Sequence, residues 1–486
     1  MIKLIIYLSL FSSIVYSQTI DGLIRDSKTK KALVGSTVLI ENSKIGTYTN
    51  TNGFFQIQNL EPKVYSLIVS NIGYKTERIK IDLTFKDSIS LNIDLSQNFL
   101  QTGEVVVSAN KRLQAVQDIP ISVSIIKSED LEIRRMNNLE YALDYVPGIQ
   151  VTRDNVSIRG SSGFSYGVGS RVALLIDGFP MLAADNGDIK MDALPLFNLN
   201  QIEIVKGAGS ALYGTSAIGG VINIITQDIQ DGFQSKFRLY SGYYTPLNYE
   251  DWDPGNNPRL DNGFDVSISN KFNDLSLLAN VGIVQEDSYR VYDKKEVYNG
   301  FVKLGYKVSD KTKINLNTNI SISENDDWAF WESAAKPFNP AETVDFSNRV
   351  DSDKFSVFGG FDHIINDDFF MNLKSGVYFT RYSNRFDQND NEYRASDAFA
   401  YSFLPQFNNT LSENFLITYG LDFRFNRVQS IVYGNQYQDI YAVYAQSEYS
   451  PIYEMDITFG LRYDLENNNG DNSNSQFSPK LGLTYK

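Results

Sequence analysis

Cysteine is absent from all 486 residues. That excludes a disulfide framework, a thiol nucleophile, a thiolate metal site and an acyl anchor on an N-terminal cysteine. Histidine is reduced to one residue, His363, next to Asp362 near the end of a strand-like run. A hydrolase built on histidine beside a nucleophile has nothing to use, and neither does a zinc site of the usual His and Cys spacings. A basic surplus is missing too. The net charge is −14, against the requirement for a positive face in a nucleic-acid partner. After the first twenty residues no run of 18 apolar residues occurs, so no membrane-spanning helix is expected. The Asp- and Asn-rich stretches Asp387–Glu392 and Glu466–Ser475 lack the full spacing of a calcium loop and read as solvated surface. No catalytic set, cofactor or metal site is expected.

Aromatic residues make up 13% of the chain, with 30 Tyr and 31 Phe. This composition suits either a soluble β-protein or a membrane β-barrel with aromatic girdles. Residues 1–17 read as a secretory signal: Lys3, a short apolar core from Leu4 to Tyr16, and Val15-Tyr-Ser17 before a cut that leaves Gln18 first.

Three regions of different character follow. Residues 19–97 hold short strand-like runs (Thr19–Arg25, Ser36–Glu41, Gly53–Gln58, Tyr65–Ser70, Ile89–Leu95) punctuated by turn residues such as Asn50–Gly53, the pattern of a small Ig-like β-sandwich. Residues 98–118 are a linker containing Val105, Val106 and Val107, a β-branched run that favours extended backbone. Residues 119–227 mix short buried strands (Val172–Ile176, Ile202–Val205, Val221–Ile225) with two helices, one with Ser128 as N-cap and one through Leu139–Leu143 stopped by Pro147-Gly148. A compact α/β unit is expected there.

From residue 233 to 486 the pattern has period two. Ile314, Leu316, Thr318, Ile320 and Ile322 alternate with Lys313, Asn315, Asn317, Asn319 and Ser321, and residues 415–425 and 455–463 repeat the pattern. About twelve such strands can be counted. Tight turns at Asn273-Asp274 and Ser309-Asp310 alternate with long polar connections at Pro246–Asn262, Glu324–Asp351, Ser383–Ser396 and Asn467–Ser475. Periodicity alone does not separate a soluble sandwich, whose apolar faces meet in a core, from a barrel, whose apolar faces meet lipid.

The order Val156-Ser-Ile-Arg-Gly160, Val172–Gly178, Ile202–Gly207, Ala211-Leu-Tyr-Gly214 and Gly219–Ile225 closely resembles the plug domain of TonB-dependent outer-membrane receptors. The motifs Gly22–Asp26, Leu33–Val38, Thr51–Phe55 and Ile72-Gly-Tyr74 resemble the carboxypeptidase regulatory-like domain, a module without chemistry of its own that precedes the plug in many Bacteroidetes-type receptors. The implied fold is mainly β: a sandwich, a small α/β plug and an antiparallel transmembrane β-barrel. That barrel is expected to be incomplete here, because a plugged barrel has about 22 strands. The implied location is the outer membrane and the implied activity is energy-coupled uptake, not catalysis.

By the same resemblance, Glu104, Val105, Val106, Val107, Ser108 and Ala109 are the TonB box, a strand added to a TonB-type energy-coupling protein in the periplasm. Phe164 and Tyr166, in the glycine-rich loop Gly163–Gly169, are candidates to touch an extracellular small-molecule ligand. Trp328 and Trp331, in a long outer loop, offer indoles for stacking or for anchoring at the membrane interface. Arg159 and Glu203 match charged plug positions and are expected to latch the plug to the wall. An iron–siderophore complex is the first expectation for the ligand, with cobalamin, oligosaccharide or peptide open. The competing classes are a surface adhesin, a passive porin and a periplasmic enzyme.

Overall fold

The structure is a computed structural model. It describes residues 18–96 and 119–485, with Val105–Val106, Lys111 and Gln114–Ala115 between them; short stretches are left out, the longest being 162–170 and 386–393. The chain divides into two units, residues 1–105 and 106–486.

The first unit holds β1 (Gln18–Asp26), β2 (Thr37–Ile40), β3 (Gly46–Tyr48), β4 (Phe54–Leu60), β5 (Val64–Ser70), β6 (Glu77–Asp82) and β7 (Ser88–Leu95). They form two sheets, β4-β1-β7 and β3-β2-β5-β6. Alternate residues point inward, as the period of a strand requires. Ile20, Ile24, Val38, Phe55, Leu67, Val69 and Leu95 meet in one apolar core. The Asn50–Gly53 turn works as its sequence predicts: Asn50 Oδ1 accepts from the Asn52 and Phe54 amides. Gly53 has a φ of 73°, and a side chain there would run into Ile24 O.

In the linker, β8 (Val105–Val106) and β9 (Gln114–Ala115) form a two-stranded ladder. Beyond it come β10 (Ser122–Lys127), α1 (Ser128–Arg134), α2 (Leu139–Asp144), β11 (Ile149–Thr152), β12 (Asn155–Ile158), β13 (Val172–Ile176), β14 (Phe179–Pro180), β15 (Leu199–Lys206), α3 (Ser210–Tyr213) and β16 (Gly220–Thr226). The central sheet runs β10-β15-β16-β13-β14, with β13 and β16 parallel and the other neighbours antiparallel. A continuous apolar run forms β13, and β16 is apolar apart from buried Asn223 and Thr226, because both faces of this sheet are covered. Ser128 is the first helical residue of α1, and the Lys127 amide donates to Asp130, so the cap lies one residue from the expected place. α2 is capped by Asn138, whose Oδ1 accepts from the Glu140 amide at 2.8 Å.

The remaining strands are β17 (Gln234–Tyr243), β18 (Leu260–Phe272), β19 (Leu275–Asp287), β20 (Lys294–Ser309), β21 (Thr312–Asp326), β22 (Trp331–Ser333), β23 (Lys336–Pro340), β24 (Arg349–Asn366), β25 (Phe369–Arg385), β26 (Arg394–Ser412), β27 (Phe415–Ser430), β28 (Gly434–Ile452), β29 (Met455–Asn468) and β30 (Asp471–Tyr485). β22 and β23 pair inside one loop. The other twelve form a single antiparallel sheet in chain order. Most are long enough to cross a bilayer, which needs about 9–11 residues of tilted strand. Among the described residues no helix is long and apolar enough to do so.

Burial along these strands resolves the ambiguity left by their period. In β21, Ile314, Leu316, Ile320 and Ile322 are 39–43% exposed, whereas Asn317, Asn319, Ser321 and Ser323 are at most 4% exposed. In β29, Phe459 and Tyr463 lie outside while Thr458 and Arg462 are buried. A soluble sandwich buries the apolar face, and this sheet buries the polar one. The plug lies against the polar face: Phe358 and Tyr378 of the sheet join the plug's own core, and Phe179 stacks on Phe358 at 4.7 Å.

The turns Asn273-Asp274 and Asp310-Lys311 are tight, near their expected places. The expected long connection Asn467–Ser475 is not there. β29 and β30 are joined by Asn469-Gly470, both with positive φ, the two-residue hairpin turn that Asn-Gly favours. The polar composition of this segment belongs to strand ends, not to a loop.

Candidate functional site

Among the described residues, Lys236 of β17 pairs with Glu132 of α1, and two further places fasten the plug to the sheet more deeply. The first is the turn after β13. Asp177 has a φ of 49° and Gly178 one of 79°. The Asp177 carboxylate accepts from the Thr226 amide (2.9 Å), Thr226 Oγ1 (2.6 Å) and Asn317 Nδ2 of the wall (3.1 Å). Lys374 Nζ of β25 donates to Asp177 O at 2.7 Å, and Lys303 Nζ of β20 lies 3.5 Å from the carboxylate. A polar cavity of about 540 Å³ opens beside this turn, lined among others by Asp177, Lys303, Asn317, Asp362 and Lys374.

The second place is the end of α3. The last carbonyls of a helix have no partner within it and carry its negative end. Arg424 Nη2 of β27 donates to Tyr213 O at 3.1 Å, and Arg462 Nη1 of β29 to Leu212 O at 3.4 Å. These two cations are held by Asp422, 2.8 Å from Arg424 and 3.0 Å from Arg462, and by Asp464, 2.7 Å from Arg462. Asp422 and Arg462 are both almost fully buried. Gly214, with a φ of 85°, lets the Arg462 guanidinium approach: a Cβ there would lie 3.0 Å from Nη2. Burial, reinforced by Glu203, pushes the Tyr213 phenol well above its ordinary value.

Lys111, in the linker between β8 and β9, reaches the same place. Its φ is 55°. Its ammonium lies 4.9 Å from the Tyr213 ring centre and 4.2 Å from that of Tyr444 of β28. Its carbonyl accepts from Gln406 Nε2 of β26 at 3.1 Å. Burial holds its pKa down to about 7, opposed by Asp422 and helped by Arg462, Arg424 and Lys374.

The residues singled out from the sequence fall differently. Arg159 Nη1 donates to Lys206 O at 3.1 Å, and Lys206 Nζ to Pro147 O, so this pair ties the two ends of the β11–β12 hairpin to β15 within the plug. Glu203 is buried in β15 and accepts from Gln201 Nε2 at 2.8 Å. Among the described residues, wall-to-plug contacts are made by Arg424, Arg462, Lys374, Lys303, Asn317 and Lys236. The signal of Arg424 and Arg462 was present as opposite charges two residues apart on a period-two strand, Asp422-Phe-Arg424 and Arg462-Tyr-Asp464.

Trp328 is 5% exposed; its Nε1 donates to Val291 O at 2.6 Å and the Arg290 guanidinium covers its ring at 4.3 Å. It is a peg of the outer loops rather than an open platform. Trp331 is 63% exposed. Around them Tyr249, Trp252, Tyr289 and Phe338 pack ring on ring, pinning three connections together. Val105 and Val106 are in β8; Glu104, Val107, Ser108, Ala109, Phe164 and Tyr166 lie outside the described residues. His363 Nδ1 shares a hydrogen with Thr312 Oγ1 at 2.9 Å. Among the described residues no three His, Cys, Asp or Glu converge as metal ligands.

Comparison with known proteins agrees with this geometry. The model of the TonB-dependent Receptor Plug Domain matches residues 115–221, and that of the CarboxypepD_reg-like domain matches residues 20–107. The chain is 34% identical over 145 residues to a vitamin B12 transporter BtuB of Vibrio vulnificus (strain CMCP6), covering 29% of this chain and 24% of that protein. It is 36% identical over 156 residues to an iron-regulated outer membrane virulence protein of Vibrio cholerae, covering 30% and 23%. Among solved structures, the ferripyoverdine receptor of the outer membrane of Pseudomonas aeruginosa aligns with a TM-score of 0.63 at 13% identity, over 85% of this chain and 63% of that one. The siderophore receptor PirA of Acinetobacter baumannii aligns with a TM-score of 0.61 at 18% identity, over 75% and 59%. The matched segments thus span about a quarter of the curated relatives' length and about three fifths of these structures.

Proposed function

This chain belongs to the TonB-dependent outer-membrane receptors, and from that membership we propose that it takes up a scarce nutrient with energy delivered by a TonB-type protein at residues 104–109. The observation that carries the proposal is the inverted burial of the twelve-stranded sheet, apolar outside and polar against a plug. A wall of this kind suits lipid on one side and a gated, hydrated path on the other. The outer loops, pinned by aromatic packing and presenting Trp331, suit capture of a ligand from outside. Phe164 and Tyr166 are assigned to the same ligand from the plug side. An iron–siderophore complex is the first assignment, supported by the iron-regulated relative and the siderophore receptors among the structural neighbours. Cobalamin is second, supported by the vitamin B12 transporters among the relatives.

The test is uptake by cells expressing the receptor from its gene, with ferric siderophores and cobalamin as probes, with and without Val106→Pro. Proline removes a backbone donor needed for added-strand pairing. Loss of uptake of one probe, with its binding at the surface intact, is the expected result and names the ligand. Unchanged uptake of every probe refutes the coupling site. Surface binding with no uptake in either protein favours an adhesin.

A further inference from the structure

We infer that the lipid-facing side of the sheet carries a seat for one acyl chain of a membrane lipid, at the foot of an aromatic step between β25 and β26. The seat follows from the inverted burial of the sheet and needs no particular cargo.

The depth of the seat is set by the polar residues around it. On the outward side of β24, Asp353 and His363 bracket Phe355, Val357, Gly359 and Phe361. Asp353 and His363 are ten residues apart. At about 3.3 Å per residue that is roughly 33 Å of strand, and at a tilt of about 40° it spans about 25 Å, the height of the apolar band of a membrane barrel. Gly359 lies six residues from Asp353 and four from His363, near the middle of that band.

At this depth the outer surface has a hollow of about 450 Å³. Its floor is Gly359 and Ser375, paired across β24 and β25, with the Val357–Val377 pair one step nearer the long loops. On β26, Tyr401 stands beside Val377 and Phe403 beside Ser375. Small residues on two strands thus meet large rings on the third. The rings brace one another: Phe399 stacks on Tyr401 with an interplanar angle of 8°, and Phe403 on Phe423 of β27 with one of 7°. A Cβ on Gly359 would meet no atom closer than 3.9 Å, so the floor is low because a side chain is missing there.

The chemistry of the hollow selects an apolar chain. Ser375 Oγ donates to Ser402 O at 3.1 Å, which turns the hydroxyl of the floor back to the sheet. Within a bilayer an apolar occupant gains nothing from leaving water. It is held by close packing, which small residues beside large rigid ones provide. Two strand spacings give a width of about 10 Å. A helix with its side chains needs about 10–12 Å, so a single acyl chain fits the step better than a helix of a partner. The same strand pair sends Phe358 and Tyr378 into the core of the plug on its other side. The seated chain therefore backs the stretch of wall that bears the plug.

The test counts retained lipid. The receptor, expressed from its gene and reconstituted in nanodiscs of one phosphatidylcholine, is released into mild detergent and weighed by native mass spectrometry. One phosphatidylcholine is expected to resist removal from the wild type. Gly359→Phe and Ser375→Phe each put a ring on the floor, and each is expected to lower that occupancy about tenfold. Val443→Phe, on the same lipid-facing side three strands away and 52% exposed, is expected to leave it unchanged. Wild type without a retained lipid overturns the seat. So does equal retention in Gly359→Phe and Ser375→Phe, with folding shown by protease resistance. A receptor dimer that Gly359→Phe dissociates would give the hollow to a second copy and overturn the lipid assignment.

Discussion

Lys374 of the sheet donates its ammonium proton to the carbonyl oxygen of Asp177 at 2.7 Å, joining residues 197 positions apart across the boundary between wall and plug. The contact exists because Gly178 has no side chain: a Cβ there would lie 2.2 Å from Lys374 Nζ. Gly178 also holds a φ of 79°, which other residues adopt at a cost. Gly178→Ala is expected to destabilise the plug by about 1–2 kcal/mol. Limited proteolysis of the plug against denaturant measures this. No change would mean that the turn carries no strain.

The Arg462 cluster should count for more. Arg462 and Asp422 are buried together, and removing one partner of such a pair costs about 3–5 kcal/mol, because the other charge stays behind. Arg462→Met should therefore cost several times what Lys271→Met costs, whose partner Asp231 is exposed. Denaturation midpoints of the two variants decide it. Coupling between Arg462→Met and Asp422→Asn in a double-mutant cycle should be strongly non-additive.

The outer loops separate a structural indole from an available one. Trp328→Phe loses the Nε1 hydrogen bond to Val291 O and should lower loop stability by about 1–2 kcal/mol. Trp331→Ala should leave stability within about 0.5 kcal/mol and weaken ligand binding. Equal thermal effects of the two would contradict their different burial.

Acidity should act on the linker through Lys111. Docked, the amine has a pKa of about 7 because burial outweighs the attraction of Asp422, with Arg424, Arg462 and Lys374 adding to the repulsion and Tyr213 and Tyr444 facing it. Released into water it returns to its ordinary 10.5. Between these values the released linker holds a proton that the docked one lacks, so docking strengthens as pH rises above about 7 and the penalty is complete below it. A nitroxide on Ser108→Cys in the reconstituted receptor should lose mobility as pH rises through that range in wild type and show no such change with Lys111→Arg, whose guanidinium keeps its charge; a gain in mobility would contradict the assignment.

The legible parts of the sequence were those governed by local rules. Asn50–Gly53 and Asp177-Gly178 announced turns, and the alternation through Ile314–Ile322 announced a two-faced strand. Which face meets solvent was not legible, because period two is the same in a sandwich and a barrel. The Asn469-Gly470 hairpin was hidden by a polar stretch that read as a loop. The charge pairs Asp422-Phe-Arg424 and Arg462-Tyr-Asp464 were legible, but not that they fasten the plug, because their plug partners lie 211 and 250 residues away and strand register, not composition, sets that encounter. Lys111 carried no signal beyond a basic residue in a linker.

The central claim is that the sheet turns its apolar face to lipid and its polar face to the plug. Adjacent residues of β21 test it directly: Ile320 is 43% exposed and Asn319 4%. A small fluorophore on Ile320→Cys or on Asn319→Cys, with the receptor in liposomes containing brominated lipid, reports contact with acyl chains. The account predicts strong quenching at residue 320 and little at residue 319. Equal quenching at both, or the reverse order, would contradict it.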